Sequence, residues 1–173
     1  MTIHTTHPFA DAAPDPVRRL RGRLAASVTL LTSGHGAARA GLTVSSLLIA
    51  HGEPARVLAL VDPDSDLADT VRGSGTAVVT LLGWEERDLA EAFAGTAPAP
   101  GGRFRQAAFE DTAWGPRLTG DRTWAGLRLE GADEVGWSTL LRLVVEEATA
   151  PDAALPPLLH HRGRFRRVQG DAL

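Results

Sequence analysis

From residue 27 onward the chain is written in short apolar runs separated by clusters of Gly, Pro, Asp and His. Runs of this length bounded by turn formers predict β-strands. "SVTLLTS" (27–33) and "AGLTVSSLLIA" (40–50) flank "GHGAAR", whose glycines suit a hairpin turn. "HGEP" makes the next turn, and "ARVLALVD" (55–62) is apolar enough to predict a strand buried on both faces. "AVVTLL" (77–82), "TWAGLRLEGA" (123–132), "STLLRLVVEEA" (138–148) and "PLLHHRGRFRRV" (157–168) bring the count to six or seven strands.

Helical spacing appears in three places. Asp15 followed by Pro16 is a helix start, a capping carboxylate before a residue with no amide hydrogen, and Val17, Leu20 and Leu24 follow at helical intervals. Asp64 or Ser65 caps a short helix through Val71 that stops near Gly73. "WEERDLAEAFAG" (84–95) has glutamates in its first turn and Gly95 at its end. "TAPAPGGRF" (96–104) reads as a loop placed to cover a site. Mostly antiparallel strands with few helices predict a closed or nearly closed β-barrel. Residues 1–14, polar and rich in Ala and Pro, read as a flexible tail, and 15–169 as one domain.

Composition narrows the function classes. The 173 residues are 43% hydrophobic and 23% charged, ordinary for a soluble globular chain large enough to bury a core. A net charge of −3 gives no global field for nucleic acid or an anionic membrane. With no cysteine, disulfides, thiolate metal sites and a cysteine nucleophile are excluded together. No apolar run approaches a membrane span, and the N-terminus lacks a basic segment followed by an apolar one, so the expected compartment is the cytoplasm.

Candidate chemistry is sparse. "GSGTAV" (73–78) lacks the third glycine of a dinucleotide fingerprint and precedes a strand. His160 and His161 are adjacent, so on a strand they face opposite ways and cannot share a metal; no metal site is expected. "RGRFRR" (162–167) splits its arginines between two faces and reads as a solvated edge rather than a nucleic-acid surface. No serine sits in a nucleophile elbow, and no catalytic residue is assigned. In "AGLTVSSLLIA", Thr43 and Ser45 share one face, Val44 and Ser46 the other. Spacing alone favours a strand end whose hydroxyls satisfy local backbone groups. The alternative is a set of small donors beside exposed amides, gripping a flat polar heterocycle or a phosphate.

The ordered series from "AGLTVSSLL" through "DPDSD" to "FAG", resuming at "PLLHHRGRFRRV", resembles the flavin reductase family with its FMN-binding split barrel, over roughly residues 17–168. That resemblance implies a flavoprotein in which Thr43, Val44, Ser45 and Ser46 hold FMN or FAD. Ser65 would make a phosphate or ribityl contact, with Arg103 as counter-charge. It implies hydride transfer from NADH or NADPH to the flavin, a homodimer, and a partner flavin-dependent monooxygenase that receives reduced flavin. Many relatives carry Gly-Asp-His before the penultimate strand, whereas this chain has Gly136, Trp137 and Ser138. Trp137, Ser138 and His161 are therefore the expected nicotinamide-pocket residues. The rival readings are a flavin-binding carrier or partner subunit without nicotinamide activity, and a deazaflavin- or amine-oxidising enzyme on the same scaffold.

Overall fold

The computed structural model describes residues 15–152 and 155–168; the predicted tail at 1–14 lies outside the described residues. In chain order the elements are α1 (Pro16–Arg23), β1 (Ala26–Ser27), β2 (Thr29–Ser33), β3 (Ala40–Val44), β4 (Leu47–Ala50), β5 (Arg56–Val61) and α2 (Asp66–Ser74). There follow β6 (Thr76–Leu81), α3 (Arg87–Ala94), β7 (Phe109–Thr112), β8 (Gly115–Leu118), β9 (Trp124–Val135), β10 (Ser138–Thr149), β11 (Leu158–His161) and β12 (Arg164–Arg167). Seven strands form one antiparallel sheet in the order β3-β2-β6-β9-β10-β5-β4. A three-stranded sheet, β1-β11-β12, and the hairpin β7-β8 stand beside it.

The apolar run at 40–50 is two strands, not one. β3 and β4 occupy opposite edges of the large sheet, yet only Ser45 and Ser46 separate them. Six inter-strand spacings would put flat edges roughly 29 Å apart. The three Cα steps from Val44 to Leu47 reach at most about 11 Å. The sheet must therefore curl until its edges meet at this step. There the Leu60 N–H donates to the Ser46 carbonyl at 2.9 Å, which hands the chain from one edge to the other. The result is the nearly closed barrel that the strand pattern predicts and the split barrel that the resemblance implies.

Leu31, Val44, Val57, Ala59, Val61, Leu127, Leu141 and Leu143 pack inside the curl with Leu67, Ala68 and Val71 of α2. Ser65 caps α2 by accepting from the Ala68 N–H at 3.2 Å, and Gly75 ends it in a left-handed conformation (φ 73°), two residues beyond the expected stop at Gly73. A second core lies on the other side of β2: Val28, Leu30, Leu82, Leu89, Ala90, Phe93, Leu118 and Leu158. All five residues of β2 are buried, because the barrel interior covers one face and α3 with the β7-β8 hairpin covers the other. β5 was expected to be the doubly buried strand, but Val57, Ala59 and Val61 point inward while Leu60 is exposed. Among the described residues no helix lies over its outer face. The terminal apolar run is likewise a hairpin, turning at Arg162 (φ 52°) and Gly163 (φ 74°), both on the positive-φ side that a two-residue loop needs.

α3 begins after a 3₁₀ turn at Trp84–Glu86 and ends at Gly95. Its buried face rests on β3 through one absent side chain. A Cβ on Gly41 would come within 2.6 Å of the Phe93 ring, so glycine lets that ring lie on the strand. Phe93 in turn meets Phe104 edge-on at 5.1 Å and Phe109 at 5.9 Å, which ties the loop after α3 to the same core. Gly41→Ala is expected to push α3 outward and lower stability by about 1–3 kcal/mol. Chemical denaturation followed by tryptophan fluorescence checks this, and an unchanged midpoint would contradict the packing argument.

Candidate functional site

Gly41, Thr43 and Ser45 lie on one face at the period of a strand, and each meets α3 or its surroundings differently. Gly41 receives Phe93. Thr43 donates its hydroxyl to the Ala90 carbonyl of α3 at 2.7 Å. Ser45, one step further, is past the ladder, and its hydroxyl has no partner among the described residues. Among the described residues the backbone amides of Ser45 and Ser46 likewise donate to no backbone group outside the strand ladders. A buried step would not leave these donors unpaired. Here they are half-exposed, beside a cleft of about 550 Å³.

The cleft lies between α3 and the β11-β12 hairpin, with Val28, Thr43 and Ser45 at its base. Trp84, Arg87, Glu91 and Ala94 recur at helical spacing and form one wall. His160, Gly163, Arg164 and Phe165 form the other. The Arg87 guanidinium sits 5.4 Å from the Trp84 ring centroid, which steadies it over the aromatic face. The His160 ring meets Phe165 nearly perpendicular at 6.2 Å. Burial lowers the His160 pKa below its ordinary value, and the positive charge of Arg21 and the neighbouring His161 act in the same direction. The cleft therefore presents a neutral imidazole, two guanidiniums and one carboxylate. Its size and its mixture of rings with a few convergent polar groups are those of a small-molecule site.

The structure brings only some of the expected residues to this wall. Thr43 and Ser45 line it. Val44 is buried in the barrel, and its carbonyl accepts from the Thr29 hydroxyl at 2.8 Å, so its side chain faces away from any ligand. Ser46 accepts from the Arg21 guanidinium at 3.4 Å and offers its amide. The Ser65 hydroxyl donates to the Asp62 carbonyl at 2.6 Å while capping α2, so it is committed locally. Arg103 is exposed near the end of α3, where a Cβ on Gly95 would lie 3.4 Å from its guanidinium; it is not on the cleft wall. Trp137 stands 65% exposed at the β9-β10 turn after Gly136 (φ 58°), with Ser138 opening β10, and neither lines the cleft. Of the histidine pair, His160 faces the cleft and His161 does not. Alternation requires one of the two to face each way; which one is decided by the pairing of β11 with β1 and β12. The sequence reading missed Trp84, Arg87 and Glu91, whose signal was their common helical face.

A family profile described as flavin reductase like domain matches residues 21–169, nearly the whole described chain. The chain belongs to this family. Among relatives of this flavin reductase-like chain, the NADH-dependent FMN reductase AsuE2 of Streptomyces nodosus subsp. asukaensis is 30% identical over 155 positions, covering 88% of this chain and 83% of that protein. The 4-hydroxyphenylacetate 3-monooxygenase reductase component of Pseudomonas aeruginosa is 25% identical, covering 88% and 90%. The NADH:FAD oxidoreductase SgcE6 of Streptomyces globisporus C-1027, solved with NAD and FAD fragments, superposes with a TM-score of 0.80 at 25% identity, covering 90% of this chain and 93% of that one. Among the described residues no helix is long and apolar enough to cross a membrane.

His160 gives the site a pH signature. Its folded-state pKa is depressed, so the unfolded chain binds the proton more readily. The stability it contributes is complete above about pH 6.5 and is lost as the pH falls toward the folded value. Thermal melts from pH 8 to pH 5 are expected to show this acid-side loss, and His160→Gln to flatten part of it. Parallel profiles for the two proteins would contradict the assignment.

Proposed function

We propose that this flavin reductase-like chain is an NAD(P)H-dependent flavin reductase that passes a hydride from the nicotinamide to FMN or FAD and supplies the reduced flavin to a partner monooxygenase. The observation that carries the reading is the Ser45 hydroxyl and amide, without a partner among the described residues, at the base of a cleft with aromatic walls and a positive balance of charge, with the Ser46 amide one step beyond. These residues fit a flavin. A planar ring needs small side chains at its edge so that backbone amides can reach it, and a serine pair provides that where larger residues would not. A bound flavin supplies the hydride acceptor and a nicotinamide the hydride, so no protein acid or base is required for the transfer itself. The chain's own contribution is placement: Ser45 and the two amides hold the ring edge, Trp84 and Phe165 confine the faces, and His160 offers a neutral hydrogen-bonding group. The named reductase relatives support the nicotinamide cosubstrate, and the monooxygenase reductase component supports a partner enzyme.

We also infer a homodimer. Leu48 (70% exposed) on edge strand β4 and Leu60 (39%) on β5 share an outer face that nothing in the described chain covers, and Ile49 (66%), on the other face of β4, adds an exposed apolar group at the same edge. Closed two-fold dimers are the commonest way to bury such a face. Ser46 adjoins this edge, so dimerisation would also shelter one side of the donor step. In this reading Trp137 and Ser138 belong to the nicotinamide pocket only where the hairpin of a second copy reaches the cleft.

Two measurements test these readings. Purified protein titrated anaerobically with NADH or NADPH in the presence of FMN or FAD is expected to bleach the flavin absorbance saturably. Ser45→Ala, which removes one hydroxyl worth about 0.5–1.5 kcal/mol, should weaken flavin binding roughly twofold to tenfold. Flavin binding without reduction by either nucleotide would reject reductase activity in favour of a carrier. Light scattering is expected to give about twice the 18.3 kDa chain mass, and Leu48→Glu with Ile49→Glu to give a monomer. A wild-type monomer would overturn the dimer.

A further inference from the structure

A second cavity, of about 170 Å³, shares Val28 with the cleft and no other lining residue. Its walls come from the β1-β2 step, the end of β6, the loop before β9 and the chain leading into β11. Backbone hydrogen bonds hold these segments to one another. The Leu82 N–H donates to the Val28 carbonyl at 3.1 Å, Val28 to Leu158 at 2.8 Å, and Leu158 back to Leu82 at 2.9 Å. Leu81 donates to the Thr123 carbonyl and Trp84 to that of Pro156, both at 3.0 Å. Leu155 closes on Gly83, where a Cβ would come within 3.0 Å of its own. The cavity is therefore preformed by paired backbone, the usual condition of a small-molecule site. Leu81 (38% exposed) and Leu155 (48%) stand where it meets solvent. Asp121 and Arg122 bring the only charges to its lining. The Asp121 carboxylate has no partner among the described residues. Arg122 pairs with Glu86 through Nη1 and donates from Nε to the Thr119 carbonyl at 2.7 Å, which leaves Nη2 without a partner among those residues.

We propose that this cavity is a second ligand site, separate from the cleft, and that it takes a neutral monocyclic phenol. The proposal does not depend on the flavin reading of the cleft. An apolar cavity of about 150 Å³ holds benzene, so this one has room for a single ring with a small substituent and none for a fused tricycle. Val28, Leu82 and Pro157 supply apolar contact for the ring, and its burial would also cover Leu81 and Leu155. The hydroxyl is selected by charge. A carboxylate on the ring would meet Asp121, and an ammonium would meet Arg122. A phenolic hydroxyl, with a pKa of about 10, is uncharged at neutral pH, and it both accepts and donates. It can accept from the Arg122 Nη2 and donate to the Asp121 carboxylate, which satisfies both groups left over by the fold. Toluene, with the same ring and no hydroxyl, would leave both unsatisfied.

Titration of the full-length protein at pH 7 with phenol, toluene and benzoate, followed by ¹³C-methyl NMR, tests the site. Phenol is expected to shift the Leu81, Leu82 and Leu155 methyl resonances saturably, with a dissociation constant below about 1 mM. The Thr43 and Ala94 methyls in the cleft should stay where they are. Toluene and benzoate should bind about tenfold more weakly or worse. Asp121 is exposed, so Asp121→Ala is expected to fold as wild type does. It should bring phenol to within about twofold of toluene while leaving toluene affinity unchanged. No saturable shift by millimolar phenol would overturn the proposal. So would shifts confined to the cleft methyls, equal affinity for the three probes, or an unchanged preference for phenol in Asp121→Ala. None of these outcomes alters the expected reduction of flavin by NADH or NADPH, which the anaerobic titration decides.

Discussion

Two residues joining opposite edges of a seven-stranded sheet set the geometry of this protein. A chain that leaves β3 at Val44 and enters β4 at Leu47 cannot cross a flat sheet, so curvature is imposed by covalent connectivity before packing is considered. Hydrophobic burial then fills the curl with α2 and with the inward residues of β5, β6, β9 and β10. The same constraint creates the site. At a step that belongs to neither ladder, amides and a hydroxyl have no strand partner, and a ligand can complete them. Fold closure and the proposed ligand contact thus rest on the same step of the chain.

What turns those donors into a cleft is the position of α3. Gly41 and Thr43 fix the helix against β3 at two consecutive positions of the same strand face, one by admitting the Phe93 ring and one by a hydrogen bond to Ala90. The approach to the helix is fixed separately. Glu86 accepts from the Gly83 N–H at 2.7 Å and pairs with Arg122, whose Nε donates to the Thr119 carbonyl at 2.7 Å. Burial lowers the Arg122 pKa, yet the pair is satisfied on both sides, the condition under which a partly buried ion pair is tolerable. α3 therefore has little freedom to slide, and Trp84, Arg87 and Glu91 face the cleft as a set.

Local chemistry was readable from the sequence, and long-range partnership was not. The Asp15 cap, where the carboxylate accepts from the Val17 N–H at 2.8 Å, and the Gly95 end of α3 depend on neighbours a few residues away. The shared face of Thr43 and Ser45 follows from strand period alone. By contrast, nothing within "AGLTVSSLLIA" marks the break at Ser45–Ser46, because an apolar run looks the same whether it pairs with one neighbour or two. Which strand is buried on both faces was also hidden: β2 wins over the more apolar β5 because α3 and β7-β8 dock on β2. The β7-β8 hairpin itself went unread, its "FEDT" and "GPRL" being charged or proline-bearing, as suits a small two-stranded sheet. Val17, Leu20 and Leu24 show the limit from the other side. Their helical spacing is real, yet all three are exposed, so periodicity established the helix without supplying the surface it packs on.

The site residues that matter most here are positional rather than reactive. Hydride transfer between two cofactors asks the protein to hold planar rings at the right separation and to keep charge where it helps binding. On the proposed reading the cleft has no need of a nucleophile, a metal cluster or a strongly shifted acid. The informative residues are those that leave room or leave donors unpaired. Gly41 makes space for Phe93, and Ser45 carries a hydroxyl too small to obstruct its own backbone. His160 is a ring whose pKa is lowered by burial and by the Arg21 charge beside it. Each acts by what it leaves available at one step of the chain. Trp137 and Ser138 stand at the β9-β10 turn, on a different hairpin from the one that walls the cleft, so what occupies those two positions leaves the lining of the proposed flavin site unchanged.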